Sequence, residues 1–292
     1  MDALSCALLP ASCSLCGFPL PQLSSVPICE ACWMEFPTQS GPVCARCGDT
    51  VDAAQLRVEP TSSAMCRACR LAPPKFERAV SFGLYQGRMK EAIHALKYDR
   101  LHPAAHKLGR MMAEAIAQLA GEAPAEMLVV PVPLHRSKYA ERGFNQARSL
   151  AEQALGFLSK SHPQWKLTLA SSTLMRLRAT ESQAGLTPRM RRMSVRGAFS
   201  VSDRSAVELK HVLVIDDILT TGATARAAAK ALVEAGAASV WVATLARARR
   251  TNEFGSHVSF QDSDGVEELT GDVTAAVVQE GSRYSSHDQP SF

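Results

Sequence analysis

The chain has 292 residues, is 46% hydrophobic and 21% charged, and carries a formal net charge of +4. That is the composition of a soluble globular protein, with length for one large domain or a medium domain with appendages. No apolar run approaches the roughly 18 residues a membrane-spanning helix needs, and Met1–Pro10, carrying Asp2 in place of a positive n-region, makes a poor signal peptide, so a cytoplasmic protein is expected.

The charge is unevenly spread. Residues 251–292 hold eight acidic side chains and one basic (Arg283), and residues 1–75 hold six acidic and five basic, so the positive surplus lies between Phe76 and Arg250. A surplus of that kind suits phosphate-rich partners, from small phosphates to nucleic acid.

All nine cysteines fall between Cys6 and Cys69. Eight form four pairs with two-residue gaps: Cys13/Cys16, Cys29/Cys32, Cys44/Cys47 and Cys66/Cys69. Such a gap turns both sulfurs toward one metal, and two turns complete a tetrahedral Cys₄ shell, so four pairs supply ligands for two Zn²⁺ ions. Cytosolic thiols stay reduced, which argues against a disulfide framework. Gly17 and Gly48 follow the first and third pairs, which suggests two ribbons in sequence, 13/16/29/32 and 44/47/66/69; an interleaved arrangement is the alternative. A closed Cys₄ shell is structural rather than catalytic. Cys6 reads as a small apolar residue.

After the cysteines the pattern changes to apolar segments alternating with helical ones. Ala79–Tyr85 reads as a strand, Met89–Lys97 and Pro103–Ala120 as helices, Met127–Val132 as a buried strand and Asn145–Leu158 as a helix. Val212–Ile215 is a β-branched strand, Ala223–Ala235 an alanine-rich helix stopped by Gly236, and Ser239–Leu245 another strand. Strand, helix, strand at this spacing gives βαβ units and a mostly parallel sheet, so the fold class is α/β. Three regions are expected: residues 1–75 as the zinc module, 76–250 as the α/β domain, and 251–292 as an acidic, disordered tail. His102 and His106 stand four apart but lack a third ligand and read as ordinary surface or core residues.

The most informative stretch is Val212-Leu-Val-Ile-Asp216-Asp217-Ile-Leu-Thr220-Thr221-Gly222-Ala223-Thr224. Two carboxylates stand at the end of a buried strand, where open α/β sheets bind ligands. Hydroxyls and Gly222 then lead directly into a helix, and the amides of such a turn form an anion cradle. Two acids beside a phosphate make sense if they grip ribose hydroxyls or if Mg²⁺ intervenes. A Walker B strand would need a GxxxxGK[ST] partner, and no glycine in the chain precedes a lysine. The combination is similar to the diphosphoribose-binding signature of type I phosphoribosyltransferases.

A second loop, Val130-Pro-Val-Pro133-Leu-His-Arg136-Ser-Lys138-Tyr-Ala-Glu-Arg142-Gly-Phe-Asn145-Gln146, carries three cations at a strand's end, with Asn145 placed to cap the next helix. A third stretch from Arg176 to Phe199 is dense in arginine, including Arg178, Arg189, Arg191 and Arg192; it could hood a phosphate or line a groove for single-stranded DNA, or be no more than a solvated basic face.

From about Cys13 to Arg247 these motifs together resemble the ComF family. The resemblance implies a double zinc ribbon followed by a type I phosphoribosyltransferase fold, and a link to DNA uptake in natural transformation. It implies that Asp216 and Asp217 hold ribose hydroxyls of phosphoribosyl pyrophosphate, that Thr220, Thr221, Gly222, Ala223 and Thr224 hold its 5′-phosphate, and that Arg136, Arg142 and Asn145 serve its Mg²⁺-bound pyrophosphate. Some members of the wider transferase fold carry an acid in the Thr220–Thr221 region for proton transfer. Two threonines stand here, so a non-catalytic factor acting on single-stranded DNA remains the alternative to an enzyme.

Overall fold

The computed structural model of the chain describes residues 12–20, 26–51, 64–98, 103–178, 190, 195 and 197–249. Two short helices, α1 (Glu30–Met34) and α2 (Arg67–Leu71), belong to the cysteine-rich segment. They are followed by β1 (Ala79–Leu84), α3 (Gly87–Tyr98), α4 (Ala104–Ala117), β2 (Glu126–Pro131), α5 (Arg136–Arg142) and α6 (Gln146–Ser161). Then come β3 (Lys166–Leu169), β4 (Leu174–Arg176), β5 (Phe199–Val201), β6 (His211–Leu219), α7 (Ala223–Glu234) and β7 (Ser239–Arg247). Among these residues no helix is long and apolar enough to cross a membrane.

Five strands form one sheet in the order β1-β7-β6-β2-β3, and every neighbouring pair is parallel. Parallel pairing needs crossover connections, and these place helices on both faces and every strand's C-terminal end along one edge. Alternation along β6 divides the core. Leu213 and Ile215 pack with Val129, Ala243 and Leu245 beneath α3, α4 and α6, whereas Val212 and Val214 pack with Val130, Val240 and Val242 beneath α7. In α6 the buried residues Ala147, Leu150, Ala151, Ala154 and Leu158 fall at helical spacing, and each fully buried leucine contributes roughly 1.5–3 kcal/mol.

The cysteine-rich segment packs onto this sheet. Cys13, Ile28, Cys32, Trp33 and Phe36 join the core that holds Met89 and Leu108, and Cys44, Cys47, Val51, Cys66 and Cys69 join the core that holds Val132 and Ala228. Between the two groups, Pro37 and Thr38 run along the outer edge of β1. The Leu84 amide donates to the Pro37 carbonyl at 2.8 Å, and Thr38 bridges Gly83 in the antiparallel sense. A Cβ at Gly83 would collide with the Pro37 oxygen, so only glycine admits this approach.

Three features differ from the sequence expectation. The strand expected to end at Ile215 continues to Leu219, because β7 runs on beside it: Asp216 pairs with Thr244, Ile218 with Ala246 and Leu219 with Arg247. The basic loop after β2 contains α5, with the His135 ring accepting from the Ser137 amide at its start and Gly143, at φ 77°, ending it. Strands β3, β4 and β5 were not expected; they are three or four residues long, too short to show a period. Residues 250–292, which include all of the expected acidic tail, and His102 lie outside the described residues. The ring of His106 packs on Phe157 at 5.1 Å, a structural role.

Candidate functional site

The eight knuckle cysteines gather in sequence order, Cys13, Cys16, Cys29 and Cys32 in one group and Cys44, Cys47, Cys66 and Cys69 in the other. Within each group the sulfurs all lie within 4.8 Å of one another. The Cys13–Cys32 separation is 3.8 Å, and Cys16–Cys29 and Cys47–Cys66 are each 3.7 Å. A tetrahedral ion with Zn–S bonds of about 2.3 Å sets its sulfurs about 3.8 Å apart, so both groups fit Zn²⁺, and the interleaved arrangement is not the one found. Gly17 and Gly48 take φ of 71° and 66°, the left-handed turn that lets each first knuckle close. Burial opposes ionisation of Cys13, but the amides of Cys29 and Leu15, at 3.3 and 3.5 Å from its sulfur, outweigh it and lower its pKa to about 6. Both shells are closed, so these centres are structural.

The second constellation lies at the C-terminal edge of the sheet. Because β2 stops at Pro131, opposite Ile215, β6 has a neighbour on one side only from Asp216 onward. The freed amides are met locally: Asp217 N–H donates to Asp216 Oδ1 and Ile218 N–H to Asp217 Oδ1, each at 2.9 Å. The loops after β2 and β6 therefore start at the same height, with Val132 N–H on the Ile215 carbonyl at 2.8 Å. After β6 the chain turns through Thr220 and Thr221 to Gly222, at φ 76°, which stands at the N-cap of α7. Glycine offers that first turn no side-chain cap, and the Thr221 hydroxyl lies 3.4 Å from the Ala223 amide. An amide-lined helix start with its positive dipole end open is an anion site.

Asp216 and Asp217 lie past Ile215, where the strand was expected to end, yet remain in strand geometry, so their side chains leave on opposite sides. Asp217 is buried and meets Lys97 at the end of α3, with Nζ 2.6 Å from Oδ2. Burial alone would raise the Asp217 pKa, but the Lys97 charge prevails and holds it below the usual carboxylate range; burial likewise opposes the Lys97 charge, and Asp217 raises its pKa. Asp216 is half-buried and responds oppositely: burial and then the adjacent Asp217 charge push its pKa well above the usual range. The Lys97 charge opposes that rise, and Arg176 of β4, whose own pKa burial lowers, also feels the Asp216 charge.

Arg142 closes the site from α5. Its guanidinium lies over the Tyr98 ring at 4.8 Å, donates to the Tyr98 hydroxyl at 3.0 Å and to Gln146 Oε1 at 3.2 Å. Its buried Nε has no hydrogen-bond acceptor among the described residues, which leaves a donor for an anion. Asn145 caps α6 by accepting from the Ala147 and Arg148 amides at 3.0 and 3.3 Å, and its Nδ2 holds the Val132 carbonyl at 3.0 Å, folding the basic segment back over the edge.

The structure thus brings together Asp216, Asp217, Thr220, Thr221, Gly222, Ala223, Thr224, Arg142 and Asn145 along one edge. Arg136 is exposed at the start of α5, and Arg178 is exposed just after β4. Arg189, Arg191 and Arg192 lie outside the described residues. Sequence reasoning missed Lys97 and Tyr98. The signal for Lys97 was its place four residues after Ile93 and eight after Met89, on the buried stripe of α3. Among the described residues, groups of three or more metal-binding side chains occur only at the two Cys₄ centres. A Mg²⁺ ion would have at most Asp216 and Asp217 here, which fits one carried in on a ligand's phosphates.

Two domain families match the chain: a double zinc ribbon domain over residues 4–70 and a phosphoribosyl transferase domain over residues 140–283. Fold and site together define a phosphoribosyltransferase-type domain preceded by a double zinc ribbon. The chain is 31% identical over 241 residues to DNA utilization protein YhgH of Salmonella typhi, covering 82% of this chain and 98% of that one. It is 25% identical over 224 residues to Competence protein F of Haemophilus influenzae, covering 76% and 90%, and 28% identical over 229 residues to Competence protein ComFC of Bacillus subtilis, covering 75% and 84%. The chain belongs to the ComF family.

Proposed function

We propose that this chain binds phosphoribosyl pyrophosphate, or a closely related ribose phosphate, together with Mg²⁺, and that it serves the uptake or use of DNA. The observation that carries the reading is the convergence at one sheet edge of an uncapped, glycine-led helix start, two carboxylates and the unpaired Nε of Arg142. The first turn of α7 takes the 5′-phosphate through its amides and the hydroxyls of Thr220, Thr221 and Thr224. Asp216, the more open acid, accepts from a ribose hydroxyl; Asp217, on the other side of the strand, does so only if β6 turns out of strand geometry there and Lys97 yields one of its oxygens. Arg142 meets the pyrophosphate and stabilises the charge it gains on leaving. Mg²⁺ would neutralise the pyrophosphate and polarise its bond to ribose. The DNA connection is supported by the relatives, a DNA utilization protein and two competence proteins.

Titration calorimetry with Mg²⁺-phosphoribosyl pyrophosphate tests the binding. Saturable heat that Gly222→Val abolishes is expected, and no heat in the folded wild type overturns the reading. Pyrophosphate release on adding candidate acceptors would mark a pentosyltransferase. The pair Thr220–Thr221, without a carboxylate for proton transfer, favours a second reading: a non-catalytic factor that senses the ribose phosphate and binds single-stranded DNA through Arg178, Arg189, Arg191 and Arg192. That reading expects DNA affinity to fall steeply with salt and the slope to flatten when Arg189, Arg191 and Arg192 become Ala.

A further inference from the structure

Two arginines connect the second Cys₄ group to the two ends of the phosphate loop. Arg247, the last residue of β7, is 1% exposed. Its Nη1 donates to the Leu219 carbonyl at 2.7 Å and also to the Thr220 carbonyl, the two residues through which β6 enters the loop. Its Nη2 lies 3.0 Å from Oδ2 of Asp49, a carboxylate 4% exposed and two residues beyond Cys47. Asp49 is fixed in turn by the knuckle, since its carbonyl accepts from the Cys44 amide at 2.7 Å. On the far side of the loop, Arg226 stands one turn into α7. It places Nη2 3.7 Å from the Cys69 sulfur and donates from Nη1 to the Ala72 carbonyl at 2.6 Å. A buried arginine held by one carboxylate can orient two carbonyls only while that carboxylate stays in place.

We propose that Asp49, Arg247 and Arg226 are positioning residues through which the metal at Cys44, Cys47, Cys66 and Cys69 sets the shape of the phosphate loop Thr220–Thr224. The inference rests on the ribose-phosphate reading of that loop. Coupling between two binding sites is reciprocal: if this metal favours the ligand-binding shape of the loop, the bound ligand holds this metal by the same factor. The first Cys₄ group has no such route among the described contacts. Its seam runs through Arg88, which meets the Leu15 carbonyl at 2.8 Å and Glu35 at 3.2 Å, and through Lys107, which meets Glu30 at 2.8 Å, on α3 and α4.

The test follows zinc release from the full-length protein to a chromogenic chelator, with and without Mg²⁺-phosphoribosyl pyrophosphate. Two phases are expected in the wild type, and the ligand should slow one by about tenfold or more while leaving the other within about twofold. Cys16→Ser, which removes the first centre, should keep the ligand-sensitive phase. Asp49→Ala should abolish the protection and weaken ligand binding, Asp49→Asn should restore part of both by keeping an acceptor for Arg247, and Arg226→Gln should reduce the protection without touching the buried pair. Arg88→Ala should change nothing in either measurement. Equal slowing of both phases, or unaltered affinity and protection in Asp49→Ala and Arg226→Gln, overturns the inference and leaves the ribose-phosphate reading standing. If the wild type binds no ligand, that reading falls, and amide hydrogen exchange decides the wiring alone. Faster exchange at Thr220–Ala223 in unliganded Asp49→Ala supports it, and unchanged exchange overturns it.

Discussion

The two Cys₄ groups share a knuckle pattern and a metal geometry but sit in different company. The first packs its Trp33 and Phe36 against the helical face and is stitched to α3 and α4 by exposed or half-exposed ion pairs. The second presses Gly48 against the Ala79 carbonyl, where a Cβ would come within 3.0 Å, and reaches the phosphate loop through the buried Asp49–Arg247 pair. Surface pairs hold a module in place cheaply and loosely, because water and salt compete for both partners. A buried pair whose partner also holds loop carbonyls transmits position, because neither charge can be abandoned there without cost. Similar metal ligands can therefore serve one region as a clamp and, on the proposed reading, another as part of the ligand site.

The largest effect that could break this contrast comes from removing each centre singly. A structural zinc contributes on the order of 10 kcal/mol of folding free energy. Cys66→Ser should lower zinc content from two ions to one and abolish measurable phosphoribosyl binding. Cys16→Ser should lower zinc equally and leave affinity within about twofold, since its seam of ion pairs runs to α3 and α4 and not to the loop carbonyls. Elemental analysis with calorimetry distinguishes them, and equal loss of affinity in both would erase the difference between the ribbons.

Next in size is the carboxylate pair. Asp217→Asn should weaken Mg²⁺-phosphoribosyl pyrophosphate binding ten- to a hundredfold, about 1.5–3 kcal/mol for a charge-assisted hydrogen bond. It also strands Lys97, whose side chain is 18% exposed, so the melting temperature should fall as well. Adding Lys97→Met should recover much of the stability and none of the affinity. Recovery of both would show Asp217 to be a partner for Lys97 only. Neither variant should change zinc content.

Smaller still is a pH effect. Asp217, with its pKa depressed in the folded protein, stabilises above the ordinary carboxylate value of about 3.9 and loses that contribution as pH falls through its lower folded value. Asp216, with its pKa raised, does the reverse: the folded form holds its proton longer, so stability declines as pH rises from the ordinary value through the raised one. Asp216→Asn should therefore melt higher than wild type at neutral pH, with the gain shrinking toward pH 4. A gain independent of pH would mean that Asp216 carries no raised pKa in the folded chain. The least effect belongs to Arg88→Ala, where melting should shift slightly and ligand affinity not at all.

Much of this was legible before any coordinates. The four cysteine pairs, the strand–Asp–Asp–Thr–Thr–Gly–helix order and the cap at Asn145 are local patterns, and local patterns report local geometry. What escaped depends on neighbours distant in sequence. β6 runs past Ile215 only because β7, more than twenty residues later, runs on beside it. α5 was hidden because Arg136-Ser-Lys138-Tyr-Ala-Glu-Arg142 buries no residue and so shows no apolar stripe. Arg247 ends a strand of nearly unbroken burial, which marks it as unusual, but its partner Asp49 lies almost two hundred residues earlier, and no spacing rule connects them.

The stretch at Pro37–Thr38 has a consequence outside ligand and metal. A parallel sheet ends in two strands with unpaired backbone groups, and such rims invite strands from other molecules. At β1 the rim is occupied by this segment, through the Pro37 carbonyl and the Thr38–Gly83 bridge. At the opposite rim β3 is only four residues long and begins with Lys166, too short and too charged a template for self-association. A side chain at residue 83 would lift the segment from β1 and uncover Val80, Phe82 and Leu84. The expected result of Gly83→Val is thus oligomers that grow with concentration, seen by light scattering, in a protein whose sheet has gained a sticky border.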